Sequence, residues 1–333
     1  MALAGLGLCV VLGFVLHLFM GSSLSGKPFQ LNLQPGQVWQ GIWSPGAHEG
    51  IGSIIWDLRL PRVLACVLVG GILGTVGSAF QALFRNPLAD PYSVGASSGA
   101  AVGGAIAIAF GIEHWAGGAA ILVFTILAGM AALLFVLAMA RRNGAFDTHR
   151  LLLAGVVVSA WLSSLVALVL LVAGEDSNQV LRWLLGSTTP MFWQRIPPLT
   201  VTLVIGLALL VREAKALNLL ATGEESALRL GVNVRRLKPL ILGVGTVMTA
   251  VAVGTVGIIG FLGLVAPHIA RRIVGVDWRY SLLGSTLVGM SLLLFADIAA
   301  QWAVPGAEIP VGIVVAILGS PTLLGLLRRD HHS

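Results

Sequence analysis

The sequence predicts an all-α integral membrane protein with ten transmembrane helices. Three observations carry that prediction: the composition, the spacing of uncharged stretches, and an uneven distribution of Lys and Arg. The chain is 57% apolar and only 10% charged, with mean hydropathy +0.94, whereas soluble domains carry about 25% charged residues. An aqueous surface needs polar cover that these 333 residues cannot supply; lipid removes the need. The 42 glycines suit close helix packing in lipid, where small residues let backbones approach. The formal charge of +6 does not point to nucleic acid, because the basic residues are scattered between apolar stretches and form no patch. Cys9 and Cys66 lie in apolar stretches without metal-ligand spacing, so neither a disulfide framework nor a metal site is expected.

The elements follow in order. The first 26 residues hold no Asp, Glu, Lys or Arg, unlike a signal peptide with its basic leading region, so residues 2–21 are expected to be a retained first span. Further uncharged stretches occupy 63–84, 92–112, 115–140, 151–174, 196–211, 239–270, 280–296 and 309–327. About 20 apolar residues cross a hydrocarbon core, and most stretches fit one crossing. The 239–270 stretch is too long for one and short for two, and charge decides its parity. With the segments around 85, 141–150, 212–238, 271–279 and 328–329 on one side, that side holds 15 of the 20 Lys and Arg, leaving Lys27, Arg59, Arg62, Arg182 and Arg195 opposite. The positive-inside rule makes the first side cytoplasmic. Both ends of 239–270 then lie inside, so this stretch goes out and returns through a turn near Gly254–Gly260, built from short or broken helices. Ten crossings result, with both termini cytoplasmic. An echo of Gly74-Thr75-Val76-Gly77 in Gly254-Thr255-Val256-Gly257, each with a proline thirteen residues on (Pro87, Pro267), raises an internal repeat; chance in a Gly-rich chain is the alternative.

Arg85-Asn86-Pro87-Leu88-Ala89-Asp90-Pro91-Tyr92 falls where a span ends. Two prolines four apart cannot continue a helix, and taken alone the segment is an ordinary turn. The longer stretch from Arg85 to Ala100, RNPLADPYSVGASSGA, resembles the signature of the FecCD-type permeases, the membrane subunits of ABC importers for ferric siderophores, haem and vitamin B12. Further matches follow in order: Leu58-Arg59-Leu60-Pro61-Arg62, Arg150 to Gly155, Gly223-Glu224-Glu225 with Leu230-Gly231-Val232, Gly260 to His268, and Glu308 to Gly312 with Leu318 to Pro321. The resemblance implies a type II importer fold like that of the vitamin B12 permease, one permease domain over residues 1–333, and residence in the bacterial inner membrane.

Residues 212–238 hold six Lys and Arg and three Glu, interleaved with Leu and Ala. Leu217, Leu220, Ala221 and Leu228 can share a face on short helices broken at Gly223 and Gly231, more than a solvated linker needs. The resemblance makes this the segment that docks on a separate ATPase, through Gly223, Glu224, Glu225, Ala227, Leu230 and Gly231. The chain lacks the G-x-x-x-x-G-K-[ST] phosphate loop, so ATP and Mg belong to the partner; no cofactor is expected here, and haem or another iron chelate enters as cargo. Arg59 and Arg62 read either as interfacial anchors or, by resemblance, as the docking point for a periplasmic binding protein, where the bidentate fork of Arg suits carboxylates. In some relatives an Arg stands four residues beyond the acid of the ninth span; here Gln301 follows Asp297, which implies a less basic docking surface. Asn86, Pro87 and Leu88, with Thr148 and His149, resemble the cytoplasmic gate. Arg182 and Trp183 could hold a flat acidic ligand such as haem or serve as an interfacial anchor. His268 reads as hydrogen-bonded structure rather than a ligand.

The expected partners are two ATPase copies, a second permease copy, a periplasmic binding protein and membrane lipid, with no nucleic acid. Among cargoes haem ranks above ferric siderophores, on Arg182 and Trp183 alone, and both above cobalamin. The rival from another class is a proton-coupled transporter using the intramembrane Asp297 as relay; by resemblance Asp297 is instead a structural partner within the bundle. A membrane enzyme is disfavoured: H-E-x-x-H is absent and no paired catalytic carboxylates stand out.

Overall fold

A computed structural model describes residues 1–20, 35–43, 51–112, 115, 118–142, 145–304 and 307–330. Lys27 lies outside them. The helices are α1 (Ala2–Met20), α2 (Pro35–Trp43), α3 (Ile51–Ser53), α4 (Leu60–Phe84), α5 (Ala96–Ala109), α6 (Ala119–Ala140), α7 (Thr148–Val172), α8 (Ser177–Leu184), α9 (Ile196–Arg212), α10 (Ala214–Ala221), α11 (Glu224–Arg229), α12 (Val234–Val256), α13 (Leu262–Val274), α14 (Trp278–Trp302) and α15 (Val311–Asp330). A π-helical turn, Ile54–Arg59, joins α3 to α4. The strands described are a two-residue hairpin, Arg141–Arg142 against Ala145–Phe146. Among the described residues seven helices are long and apolar enough to cross a membrane, and α5 and the described part of α15 are shorter apolar helices. The protein is thus a multi-pass helical membrane protein.

The core forms around α4, which is buried along nearly its whole length. An all-round apolar helix has no polar face to give to water and goes to the centre. Its small residues set the spacing: side chains at Gly70 and Gly74 would strike the backbone of Gly289 and Ser285 on α14, and one at Gly77 would strike Gly263 on α13. Backbone thus lies on backbone, the packing that lipid favours where no hydrophobic force acts between helices. Thr75 and Thr286 hydroxyls bridge the same contact at 2.7 Å. By contrast α7 exposes Leu153, Val156, Val157, Trp161 and Leu171, an outward apolar face suited to lipid or to another membrane subunit.

Caps fix where helices begin. Asp147 accepts from the Arg150 amide at the start of α7, Asn233 from Arg236 at α12, and Asp277 from Arg279 at α14, the side-chain caps that satisfy orphan amides. At the other end of α4, Arg85 takes the left-handed conformation, φ 49°, and Pro87 follows.

Hydrogen bonds divide the chain into two ends. One gathers Asn218 with Asp277 (2.8 Å) and Glu224 with Lys238 (2.7 Å). The other gathers Arg62 with Glu308, Trp193 Nε1 with the Trp56 carbonyl, and Arg195 with the Thr255 carbonyl. The first turn of α12 and the residue capping α14 therefore meet the same α10–α11 segment, while the last turn of α12 meets the opposite end. The 239–270 stretch does cross the bundle and return, breaking over Gly257–Phe261. Gly257 ends α12 at φ 77°, where a side chain would overlap the Trp183 carbonyl.

The internal echo is not a structural repeat. Gly74–Gly77 sits in the middle of α4 and Pro87 after it, whereas Gly254–Gly257 closes α12 and Pro267 lies inside α13. Four matching residues do not set a helix end; the φ of Gly257 does.

Candidate functional site

Three groups of residues are candidates for the functional site. At the end carrying Glu308, Asp297 of α14 is fully buried. Its Oδ2 accepts from Arg62 Nε at 2.8 Å and Gln301 Nε2 at 2.8 Å and lies 2.6 Å from His17 Nε2. Its Oδ1 accepts from Arg62 Nη2 at 3.1 Å and from the Thr188 hydroxyl. Arg62 reaches on to Glu308 at 3.1 Å. One carboxylate thus joins α1, α4, α14, the loop after α8, and the segment before α15. A buried charge demands such partners, and Arg62, Gln301 and Thr188 give this carboxylate four hydrogen bonds beside His17, the setting of a structural ion pair. His17, Cys66 and Asp297 bring three metal-capable atoms within 4.8 Å, but the Arg62 guanidinium stands among them, so a cation would enter against fixed positive charge.

Both residues read for docking are held within the bundle in this structure. Arg59 and Arg62 are 5% and 9% exposed; Arg59 donates to the Leu18 carbonyl and Arg62 is held by two acids. Docking through either one remains a proposal that needs its guanidinium displayed to the partner. Gln301, which replaces a basic residue of some relatives, donates to Asp297. Sequence reasoning flagged Asp297 but missed His17 and Thr188 as its partners and Glu308 as the second acid on Arg62. The signal available for His17 was a single ionisable side chain in an otherwise apolar span.

An open pocket of about 460 Å³ is lined by Asp90, Tyr92, Leu184, Leu185, Ile258, Gly260, Phe261, Leu264, Gly312, Ile313 and Ala316. The break between α12 and α13 supplies its wall, and Phe261 there holds a left-handed φ of 64°, a conformation costly for an aromatic residue and typical of functional sites. Asp90 turns back on its own loop, accepting from the Ser93 amide at 2.9 Å. Burial pushes its carboxyl up to about 6, against the lowering effect of the Ser93 and Tyr92 amides. Arg182 is exposed and Trp183 half-buried. The Trp183 ring packs over Gly104 and against Ala100, Val253 and Ile258. Neighbours on a helix point about 100° apart, so the two do not form a clamp for a flat ligand. This removes the basis for ranking haem on that pair.

At the opposite end lie the residues read as gate and coupling segment. Asn86 Oδ1 accepts from the Leu88 amide at 2.9 Å, closing a tight turn that exposes Pro87 and Leu88. Thr148 and His149 open α7, with Thr148 half-buried and His149 exposed. The α10 and α11 helices break at Gly223, φ 126°, and α11 is followed by Gly231, φ 86°. The expected shared stripe divides. Leu217 and Leu220 turn inward and are buried, as is Ala227, while Ala221 and Leu228 are exposed. Helix α10 packs against α4 and α14, which takes its leucines, and the shorter α11 is left to show Leu228 (52% exposed) with Leu230 (63%) beyond it. Glu225 and Gly231 are also exposed. Lys238, unremarked in the sequence beyond its charge, is buried beside Glu224 and Thr148.

A multi-pass helical bundle with an open pocket at the α12–α13 break fits a membrane permease. The chain belongs to the FecCD transport family, whose profile matches residues 9–329, and is an ABC importer permease of that family. It is 35% identical to the hemin transport system permease HmuU of Yersinia pestis over 96% of both chains. It is 37% identical to the vitamin B12 import permease BtuC of Escherichia coli over 90% of both. A solved structure, of a metal-chelate type ABC transporter in an inward-facing conformation, superposes with TM-score 0.84 at 31% identity over 98% of both chains.

Proposed function

We propose that this chain carries a metal chelate across the bacterial inner membrane as one of two permease copies driven by two separate ATPases and supplied by a periplasmic binding protein. The seven long helices with α5, α13 and α15 make ten crossings, and the α10–α11 end, rich in Lys and Arg, faces the cytoplasm. Cargo passes by the cavity between α8, α15 and the α12–α13 break. The cargo is an iron chelate, haem or a ferric siderophore, with cobalamin as the alternative. The loops at Asn86–Leu88 and Thr148–His149 form the inner gate.

The observation that carries this reading is the α11 surface: Leu228 and Leu230 stand exposed on a charged segment outside the bundle, where an apolar patch rimmed by polar residues marks a protein contact. A permease without a nucleotide site of its own needs an engine, and this is the face shaped to meet it. Replacing both residues, Leu228→Glu with Leu230→Glu, is expected to abolish copurification of the ATPase while leaving the yield of folded permease unchanged. Retention of the ATPase on the doubly substituted chain would count against the reading.

A further inference from the structure

Lys238 sits at the first turn of α12 with its side chain only 1% exposed. An ammonium carries three donors and no acceptor, and each of the three is used. Nζ donates to Glu224 Oε2 at 2.7 Å, to the Phe146 carbonyl at 2.7 Å and to Thr148 Oγ1 at 3.1 Å. The partners divide by element. Glu224 opens α11, the helix of the exposed coupling surface. Phe146 ends the small hairpin, and Thr148 begins α7 at the gate. One buried ion therefore joins the segment that meets the ATPase to the segment that closes the path.

We infer that Lys238 is the positioning residue that transmits movement of α11 to the inner gate; this rests on the importer reading given above. A charge removed from water is held firmly only while all its partners stay, so α11 cannot shift without drawing Lys238, or leaving it unpaired. Lys238 in turn holds the hairpin end and the first residue of α7. The next residue, Pro239, lies inside α12. It has no amide to give the Arg235 carbonyl, which leaves the first turn of α12 free to pivot at that point. Glu224 is the exposed member of the set, its side chain 35% accessible, so a docked partner can reach it. Direct packing between α11 and α7 is not needed for this coupling; the ammonium bridges them.

The test uses the whole complex in proteoliposomes, reading cargo uptake and ATP hydrolysis together. Lys238→Met keeps the length of the side chain and removes the donors. It is expected to lower the ratio of cargo moved to ATP hydrolysed at least tenfold, with Lys238→Arg restoring most of the ratio. A merely structural defect lowers the number of active complexes, so both rates fall together and the ratio stays. Should Lys238→Met fail to assemble, Glu224→Gln decides. It leaves the bonds to Phe146 and Thr148 in place, weakens only the link to α11, and is expected to lower the ratio about threefold or more. An unchanged ratio in the assembled variants overturns the inference. Wild-type uptake that does not depend on ATP would instead overturn the importer reading, so the two failures are distinguishable.

Discussion

Replacing Asp297 with Ala is expected to destabilise the folded chain by about 3–5 kcal/mol, the cost of breaking a buried ion pair from one side. Net stabilities of proteins are about 5–15 kcal/mol, so most of the folded population would be at risk. The substitution strips Arg62 of two hydrogen bonds and leaves His17, Thr188 and Gln301 facing a void. Glu308 holds Arg62 at 3.1 Å and softens the loss. Thermal unfolding in detergent, followed by size exclusion, reads the effect. Asp297→Asn keeps an acceptor and should fall between wild type and Asp297→Ala. Its uptake per folded molecule should stay within about threefold of wild type, since a neutral amide still engages Arg62, Thr188 and Gln301 in part. A relay mechanism requires the reverse: normal folding with transport abolished.

Gly74→Val is expected to act as strongly by a different route. An added Cβ would enter the Ser285 carbonyl of α14, and backbone cannot turn aside as a side chain can. Overpacking usually costs about 1–3 kcal/mol through repacking of side chains; here α4 and α14 must part, taking the Thr75–Thr286 bridge with them, so the effect should reach or exceed the top of that range. The yield of monodisperse protein measures it. Gly243→Ala is the control, because nothing lies within 4 Å of its added Cβ; its yield should match wild type.

Much of this arrangement was legible in the chain. Uncharged stretches marked the helices because lipid-facing and core-facing positions alike must be apolar. The return of 239–270 followed from the charges at its two ends, and the hydrogen bonds of Asn218 and Glu224 agree with it. Gly223 and Gly231 marked helix breaks because left-handed and extended glycine geometry is read locally. Long-range partnership was not legible. His17 and Asp297 are 280 residues apart, and no periodicity links them. Arg62 looks the same in sequence whether it snorkels to an interface or turns inward, since the choice depends on an acid from another helix. Trp183 turns inward because Gly104 leaves it a place, a fact held by a helix far along the chain. Lys238 was hidden among other basic residues of its segment; only the fold shows that it alone faces Glu224 and Thr148 together.

Uptake into proteoliposomes holding the permease, its ATPase and the loaded binding protein tests the central claim most directly. The account predicts that the cargo carried by the binding protein accumulates only when ATP is supplied and hydrolysed, and that collapsing the proton gradient leaves the rate unchanged. Accumulation that continues without ATP and follows the proton gradient would contradict it.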